Sequence, residues 1–496
     1  MPRELASLNV GTITIRHLLP SSTMDDGPLH VVVFPWLAFG HMLPFLELSK
    51  SLAKRGHRIS FLSTPRNIQR LPKIPSQIAS RVNLVSLPLP KVDGLPEDAE
   101  ATTDLPPPKV QYLKKANDGL DEPFTRFLQE ASPKPDWIIH DFSHHWIPPI
   151  ASMFEVPCAF FSIFPSSTLV FIGPPSEMKL GGQRRTPEQF TKPPEWISFP
   201  SSAAFRLHEA QVFTEHYQNN ASGFSDFRRL ELIIQGCKLV AVRSCKEFES
   251  DWLALLEELY KNKPVVVPVG LLPPHVQESI EDVHTDTTGA VAQVFGWLNG
   301  QTPGSVVYVA LGSEATLSVE LVHELALGLE LSKVPFVWAL RKPAGMASDV
   351  EILPKGFEVR TRGLGVVAMG WIPQLRVLAH PSVGGFFTHC GWSSTIEGLQ
   401  FGHPLILLPI FTDQGLIARI MEDKKIGLEV PRNEENGSFG REGVAKAIRL
   451  IMVEEGGEPF RCKAGKLKEV FSDKESQECY VDNFVRCLQN HRAKQG

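Results

Sequence analysis

Apolar residues in this chain fall into short, nearly unbroken runs separated by stretches with helical spacing. The first run is "LHVVVFPW", Leu29 to Trp36, whose β-branched composition suits a parallel strand covered on both faces. "LPFLELSKSLAKRG" follows with apolar positions at helical spacing and Gly56 as a stop. "HRISFLST" reads as the next strand, and the alternation continues through "VNLVSLPLP", "DWIIHDF", "VPCAFFSIF" and "KLVAVRSCKEFE". Such a β–α–β rhythm builds a doubly wound parallel sheet. Residues 173–230, rich in Pro and Ser, interrupt it and read as an irregular insertion over an open face.

"KPVVVPVGLLPPH", Lys263 to His275, carries four prolines and reads as the start of an interdomain linker. A second series opens at "SVVYVALGS" and runs through "VPFVWALR", "GVVAMGW", "VGGFFTHC", "HPLILLP" and "IGLEV". Helical segments near Arg441–Val453 and Pro459–Gln489 close the chain. The predicted organisation is a flexible extension (1–28), a first domain (29–262), a linker (263–288), a second domain (289–475) and a terminal helix (476–496) that packs back on the first domain. The fold class is α/β: two doubly wound parallel-sheet domains facing across a cleft. In such sheets ligands bind beyond the carboxyl ends of the strands.

Composition narrows the function. The 496 residues are 43% hydrophobic and 21% charged, ordinary for a globular protein with a large core. A net charge of −5 with both signs mixed favours neither nucleic acid nor an anionic membrane surface. No apolar run reaches the roughly 20 residues of a membrane span. Seven cysteines, an odd number without a C-x-x-C, fit reduced thiols in a cytoplasmic protein. The N-terminal stretch lacks the continuous apolar core of a secretory signal. Its Arg and Ser content also fits a transit peptide, and Met24 offers an alternative start. A monomer is expected.

The chemistry concentrates in "THCGWSSTIEG", Thr388 to Gly398. Ser393, Ser394 and Thr395 stand where a helix begins after Gly391, and free amides with the helix dipole make that place an anion site. Hydroxyls add donors, and His389 adds a donor or a charge. A diphosphate fits, and Glu397 suits the diol of a ribose. Two alternatives stay open: Ser394-x-x-Glu397 also matches a capping box, and His389 and Trp392 also fit as core residues. Upstream, Trp371 and Gln374 offer a stacking platform and an amide reader for a base. Downstream, Asp413 and Gln414 at another strand end suit sugar hydroxyls.

The first half offers a candidate general base. "PWLAFGHMLPF" puts His41 just after the first strand, and "DWIIHDFSHHW" puts Asp141 at a neighbouring strand end, where its carboxylate can orient the imidazole; His41 also fits as a helix N-terminal histidine that hydrogen-bonds locally. His140 and His144 have metal-like i,i+4 spacing, but His140 belongs to the strand and points opposite to Asp141. His144 and Trp146 are expected to line or support a pocket beside that strand end. Without D-x-D, G-x-G-x-x-G or a P-loop, neither a metal-bridged diphosphate nor a dinucleotide is indicated.

The 44 positions from Trp371 to Gln414, "WIPQLRVLAHPSVGGFFTHCGWSSTIEGLQFGHPLILLPIFTDQ", resemble the signature box of plant family-1 UDP-glycosyltransferases. The likeness extends from "HVVVFPWLAFGHMLPFLELSKSLAKRGH" to the closing helices. It implies the GT-B fold, two Rossmann-like domains with the acceptor mainly on the first and the nucleotide sugar on the second. It further implies that Trp371 stacks on uracil, with Ile372 and Gln374 contacting it. Glu397 would hold the ribose, and His389 and Ser394 the phosphates, with help from the Trp392 backbone. Asp413 and Gln414 would hold the sugar, with Ser313 near sugar and phosphates. His41 and Asp141 match the catalytic pair. No cofactor or metal is expected, since the UDP-sugar is a co-substrate. Ser393 stands where the family usually has Asn, near the sugar and phosphate, so this position bears on the donor. Gln414 leans toward glucose, with UDP-rhamnose as the alternative. The acceptor would be a small lipophilic natural product or its glycoside, flavonoid or terpenoid. The segment around His41 resembles the branch that includes sugar-on-sugar enzymes. Rival readings are a non-catalytic nucleotide-sugar binder and a two-domain epimerase or phosphorylase.

Overall fold

The computed structural model describes residues 27–179, 182–261, 263–274, 289–315, 317–341 and 352–492. Almost all of the expected extension and residues 275–288 of the expected linker lie outside the described residues. The first sheet holds β1 (His30–Phe34), β2 (Arg58–Ser63), β3 (Val82–Ser86), β4 (Trp137–His140), β5 (Cys158–Ser162), β6 (Leu239–Val242) and β7 (Val265–Pro268). Their order is β3-β2-β1-β4-β5-β6-β7, and every pair is parallel. The second holds β8 (Val306–Ala310), β9 (Phe336–Leu340), β10 (Gly365–Met369), β11 (Val383–Thr388), β12 (Leu405–Leu407) and β13 (Gly427–Glu429). Its order is β10-β9-β8-β11-β12-β13, again all parallel. The expected GT-B architecture, two Rossmann-like α/β domains, is the one found.

Strand order reverses between β1 and β4 in the first sheet and between β8 and β11 in the second. A crevice opens at such a point because the connections leave in opposite directions. His41 and Asp141 follow β1 and β4; Ser313 and His389 follow β8 and β11. Both pairs therefore stand at switch points.

The strands are buried on both faces, as their unbroken apolar runs require. On one face Val31 and Val33 pack with Phe45, Leu48 and Leu52 of the helix Phe39–Lys54; on the other Val32 and Phe34 pack with Phe124 and Ile147. The terminal helix Lys474–Asn490 puts Val481, Phe484 and Leu488 into the first of these clusters. Trp137 Nε1 donates to its Leu488 carbonyl at 2.9 Å, and Leu271 N donates to Gln477 Oε1 at 2.6 Å.

Two readings need correction. Val265–Pro268, assigned above to the linker, is the edge strand β7, and an edge tolerates proline where a central strand does not. Residues 173–230 are not irregular throughout: they include the helices Pro175–Met178 and Leu207–Glu215 and the start of Asp226–Gly236. They pack Phe190, Phe205, Phe213, Tyr217 and Phe227 around Phe171. The Arg184 guanidinium lies 4.9, 4.6 and 4.7 Å from the ring centres of Phe171, Phe190 and Trp196. Such packing depends on partners distant in sequence and leaves no periodic trace.

Candidate active site

His41 is in the first turn of the helix Phe39–Lys54, and its amide donates to Ala38 O at 2.9 Å. Its Nδ1 lies 2.8 Å from Asp141 Oδ2. Asp141 is itself fixed: Oδ2 accepts from Trp36 N at 3.0 Å and Oδ1 from Phe142 N at 2.7 Å. A carboxylate at Nδ1 keeps the proton there and leaves the Nε2 lone pair free. Burial alone would lower the His41 pKa. The Asp141 charge and hydrogen bond more than reverse it, with Glu314 and Asp413 of the second domain adding to the rise. The His41 imidazole thus feels carboxylates of the second domain. Phe142 and Phe164, ring centres 5.5 and 6.1 Å away, give it an apolar surround.

In the second domain the helix Trp392–Gln400 starts at Gly391, whose side can offer no cap. The first main-chain bond runs from Thr395 N to Gly391 O at 2.9 Å, so the amides of Trp392, Ser393 and Ser394 lie ahead of it. Ser394 is inside the helix, not at its cap, and Glu397 bonds Gln374 instead of turning back. The capping-box alternative is therefore not what forms. Cys390, at φ +69°, makes the turn from β11 in a left-handed conformation, and Thr412 does the same at +52° before Asp413.

His389 is wedged between two glycines. A Cβ at Gly312 or at Gly391 would come within 2.6 Å of its ring. Burial lowers its pKa to about 4, so at neutral pH it is an uncharged donor and does not supply the charge considered from sequence. Its Nδ1 has no partner among the described residues.

Trp371 is 61% exposed, open for stacking, while Ile372 beside it is buried. Gln374 Nε2 donates to Glu397 Oε2 at 2.6 Å, and Tyr308 Oη donates to Gln374 Oε1 at 3.3 Å. Burial raises the Glu397 pKa, and the Gln374 bond and the Arg243 charge pull it partly back. Asp413, at the start of the helix Gln414–Asp423, is pushed up to about 7 by burial, against its own backbone bond and His41. Gln414 is nearly fully buried, and its Oε1 accepts from Ile410 N and Phe411 N at 2.9 and 3.1 Å. Its carbonyl is thus engaged locally, and only its NH2 is left for a sugar. Ser313 is half-buried in the loop after β8, where its carbonyl accepts from Arg341 Nη1 at 3.4 Å. His144 and Trp146 are buried, with their rings against Phe34. His140 faces Cys237 Sγ at 3.3 Å, and Cys158 completes a buried set of three potential ligand atoms.

The family model described as UDP-glucoronosyl and UDP-glucosyl transferase matches residues 268–468. UDP-glycosyltransferase 91D1 of Stevia rebaudiana is 49% identical over 474 residues, covering 95% of this chain and 94% of the relative. The chain belongs to the plant family-1 UDP-glycosyltransferases. Soyasaponin III rhamnosyltransferase of Glycine max is 40% identical over 469 residues, 94% of this chain and 97% of the relative. The crystal structure of Arabidopsis thaliana UGT89C1 with UDP-L-rhamnose superposes with TM-score 0.71 at 25% identity, covering 93% of this chain and all of that one.

In this UDP-glycosyltransferase the cleft also contains residues that sequence reading passed over. Thr102 Oγ1 donates across the cleft to Glu314 Oε1 at 2.8 Å. Arg243, just after β6, donates from Nη1 to Ser393 Oγ at 2.6 Å. A charged residue closing an otherwise apolar parallel strand at its carboxyl end is the signal that could have found Arg243. No helix among the described residues is long and apolar enough to cross a membrane.

Proposed function

We propose that this enzyme transfers a hexose, glucose first, from UDP to a hydroxyl of a small lipophilic natural product or its glycoside, with inversion. The supporting observation is the His41–Asp141 pair at 2.8 Å, under the charge of Glu314 and Asp413 of the second domain, whose helix Trp392–Gln400 starts with amides that carry no helical bond. His41 Nε2 takes the acceptor proton as the acceptor oxygen attacks the anomeric carbon. The C–O bond to UDP breaks, and its electron pair leaves on the β-phosphate. The Trp392, Ser393 and Ser394 amides, the two serine hydroxyls and the His389 N–H stabilise that charge. Asp141 holds the imidazolium that forms. Trp371 carries the uracil and Glu397 the ribose; Asp413 and the Gln414 amide hold the sugar. Ser313 stands by sugar and phosphate. Neither cofactor nor metal takes part, and the protein acts as a cytoplasmic monomer.

Phe142 and Phe164 beside the base support a lipophilic acceptor of flavonoid or terpenoid type. The 40% likeness to a rhamnosyltransferase, with Ser393 in place of the family's Asn, supports UDP-rhamnose as the second donor reading. The test is a matrix of UDP-glucose, UDP-rhamnose, UDP-galactose and UDP-xylose against flavonoid and terpenoid glycosides, scored by product mass. Glucosyl products should dominate; hydrolysis alone with every acceptor would sink the reading. Rhamnosyl products would select the second donor.

A further inference from the structure

Arg243 belongs to the first domain, yet it is bound to the helix start of the second. Its side chain is 2% exposed. Nε donates to Leu271 O at 2.8 Å, Nη2 to Leu272 O at 3.2 Å, and Nη1 to Ser393 Oγ at 2.6 Å. Its own carbonyl accepts from Trp392 Nε1 at 2.8 Å. Two bonds running in opposite directions thus join the end of β6 to the first two residues of the helix Trp392–Gln400.

The charge balance at this point is unusual. Among the described residues no carboxylate hydrogen-bonds to Arg243, although Glu397 and Glu47 are near enough to act on its charge. A guanidinium cannot lose its proton in this pH range. It lies buried beside the positive end of a helix, where a cation is unfavourable. Two sources of positive potential in one place are relieved by an anion. The bond to Ser393 also has a direction: a hydroxyl that accepts from a guanidinium has its own proton to give, and is a stronger donor for it.

We propose that Arg243 is a positioning residue for the donor diphosphate, fixing Ser393 so that its hydroxyl donates to a phosphate oxygen and adding its charge from the acceptor domain. The pair Arg243–Ser393 then does what a neutral amide at position 393 does elsewhere in the family. This inference rests on the UDP-sugar reading of the site.

The test compares UDP with uridine, which has the base and ribose but no phosphate. Calorimetric titration of full-length Arg243→Gln should show UDP affinity about ten- to hundredfold weaker, as expected for loss of a charged hydrogen bond. Uridine affinity should stay within about twofold of wild type. Arg243→Lys, which keeps the charge, should lose less than Arg243→Gln. Ser393→Ala should weaken UDP alone, and the double variant Arg243→Gln with Ser393→Ala should lose less than the two single losses combined. Unchanged UDP affinity in Arg243→Gln, or equal loss of UDP and uridine, overturns the proposal. If Arg243→Gln does not fold, Ser393→Ala decides on the same two ligands, and unchanged UDP affinity there overturns it. Failure of the wild-type protein to bind either ligand would instead sink the donor reading itself.

Discussion

One oxygen of Asp141 serves two partners: Oδ2 accepts from His41 Nδ1 at 2.8 Å and from the Trp36 amide at 3.0 Å. The carboxylate is therefore held by the loop after β1 while it holds the imidazole of the helix that follows. An imidazole so fixed keeps one tautomer, with the Nε2 lone pair free.

His41→Ala should lower kcat by roughly 10²–10⁴-fold, the range for a general base. UDP affinity should stay nearly unchanged, because no donor-binding residue is touched. Stopped assays paired with UDP titration separate the two effects; parallel loss of both would contradict the assigned role.

Asp141→Asn should cost less activity than His41→Ala and should move the pH profile. The His41 pKa is raised by Asp141 against burial, so in the wild type the active neutral imidazole is lost as pH falls through that raised value. Removing the carboxylate lowers the pKa, and the acid limb of kcat/KM should shift to lower pH while the plateau drops. An unshifted limb would reject the electrostatic role of Asp141.

Trp371→Ala should weaken UDP and uridine alike by about 1–3 kcal/mol, the worth of a base–aromatic stack. With the ring 61% exposed, thermal stability should hardly change. A large drop in Tm with intact UDP binding would make Trp371 a packing residue.

Asp413→Asn has an effect set by pH. Burial pushes this carboxyl up to about 7, so it is mainly a neutral acid at pH 6 and a carboxylate at pH 8. The Asn amide resembles the neutral acid. The rise in donor KM should be small at pH 6 and several times larger at pH 8, and an equal rise at both would exclude titration here.

Gly312→Ala should destabilise the fold by about 1–3 kcal/mol and weaken UDP more than uridine. The residue is at φ +78°, and the added Cβ would lie 2.6 Å from the His389 ring. Thermal unfolding and the two titrations check both parts; undiminished UDP affinity would show that the His389 position is not critical.

The sequence by itself determined most of the fold. Unbroken apolar runs such as Val31–Val33 and Val306–Val309 mark parallel strands because a strand covered on both faces has no polar side. It also gathered most of the candidate donor residues, since Trp371 to Gln414 form one continuous stretch. The edge strand β7 escaped because Pro268 and the flanking Pro264 signal a linker as strongly as an edge, and the packed insertion because its aromatic contacts are long-range.

Only the tertiary structure decided which groups meet. His41 and Asp141 are 100 residues apart, and Arg243 and Ser393 are 150 apart, in different domains. It also brought out the burial that lowers the His389 pKa and the local bonds that engage the Gln414 side-chain carbonyl. Charge state and hydrogen-bond partners depend on what burial brings near a group, and no local pattern of residues records that.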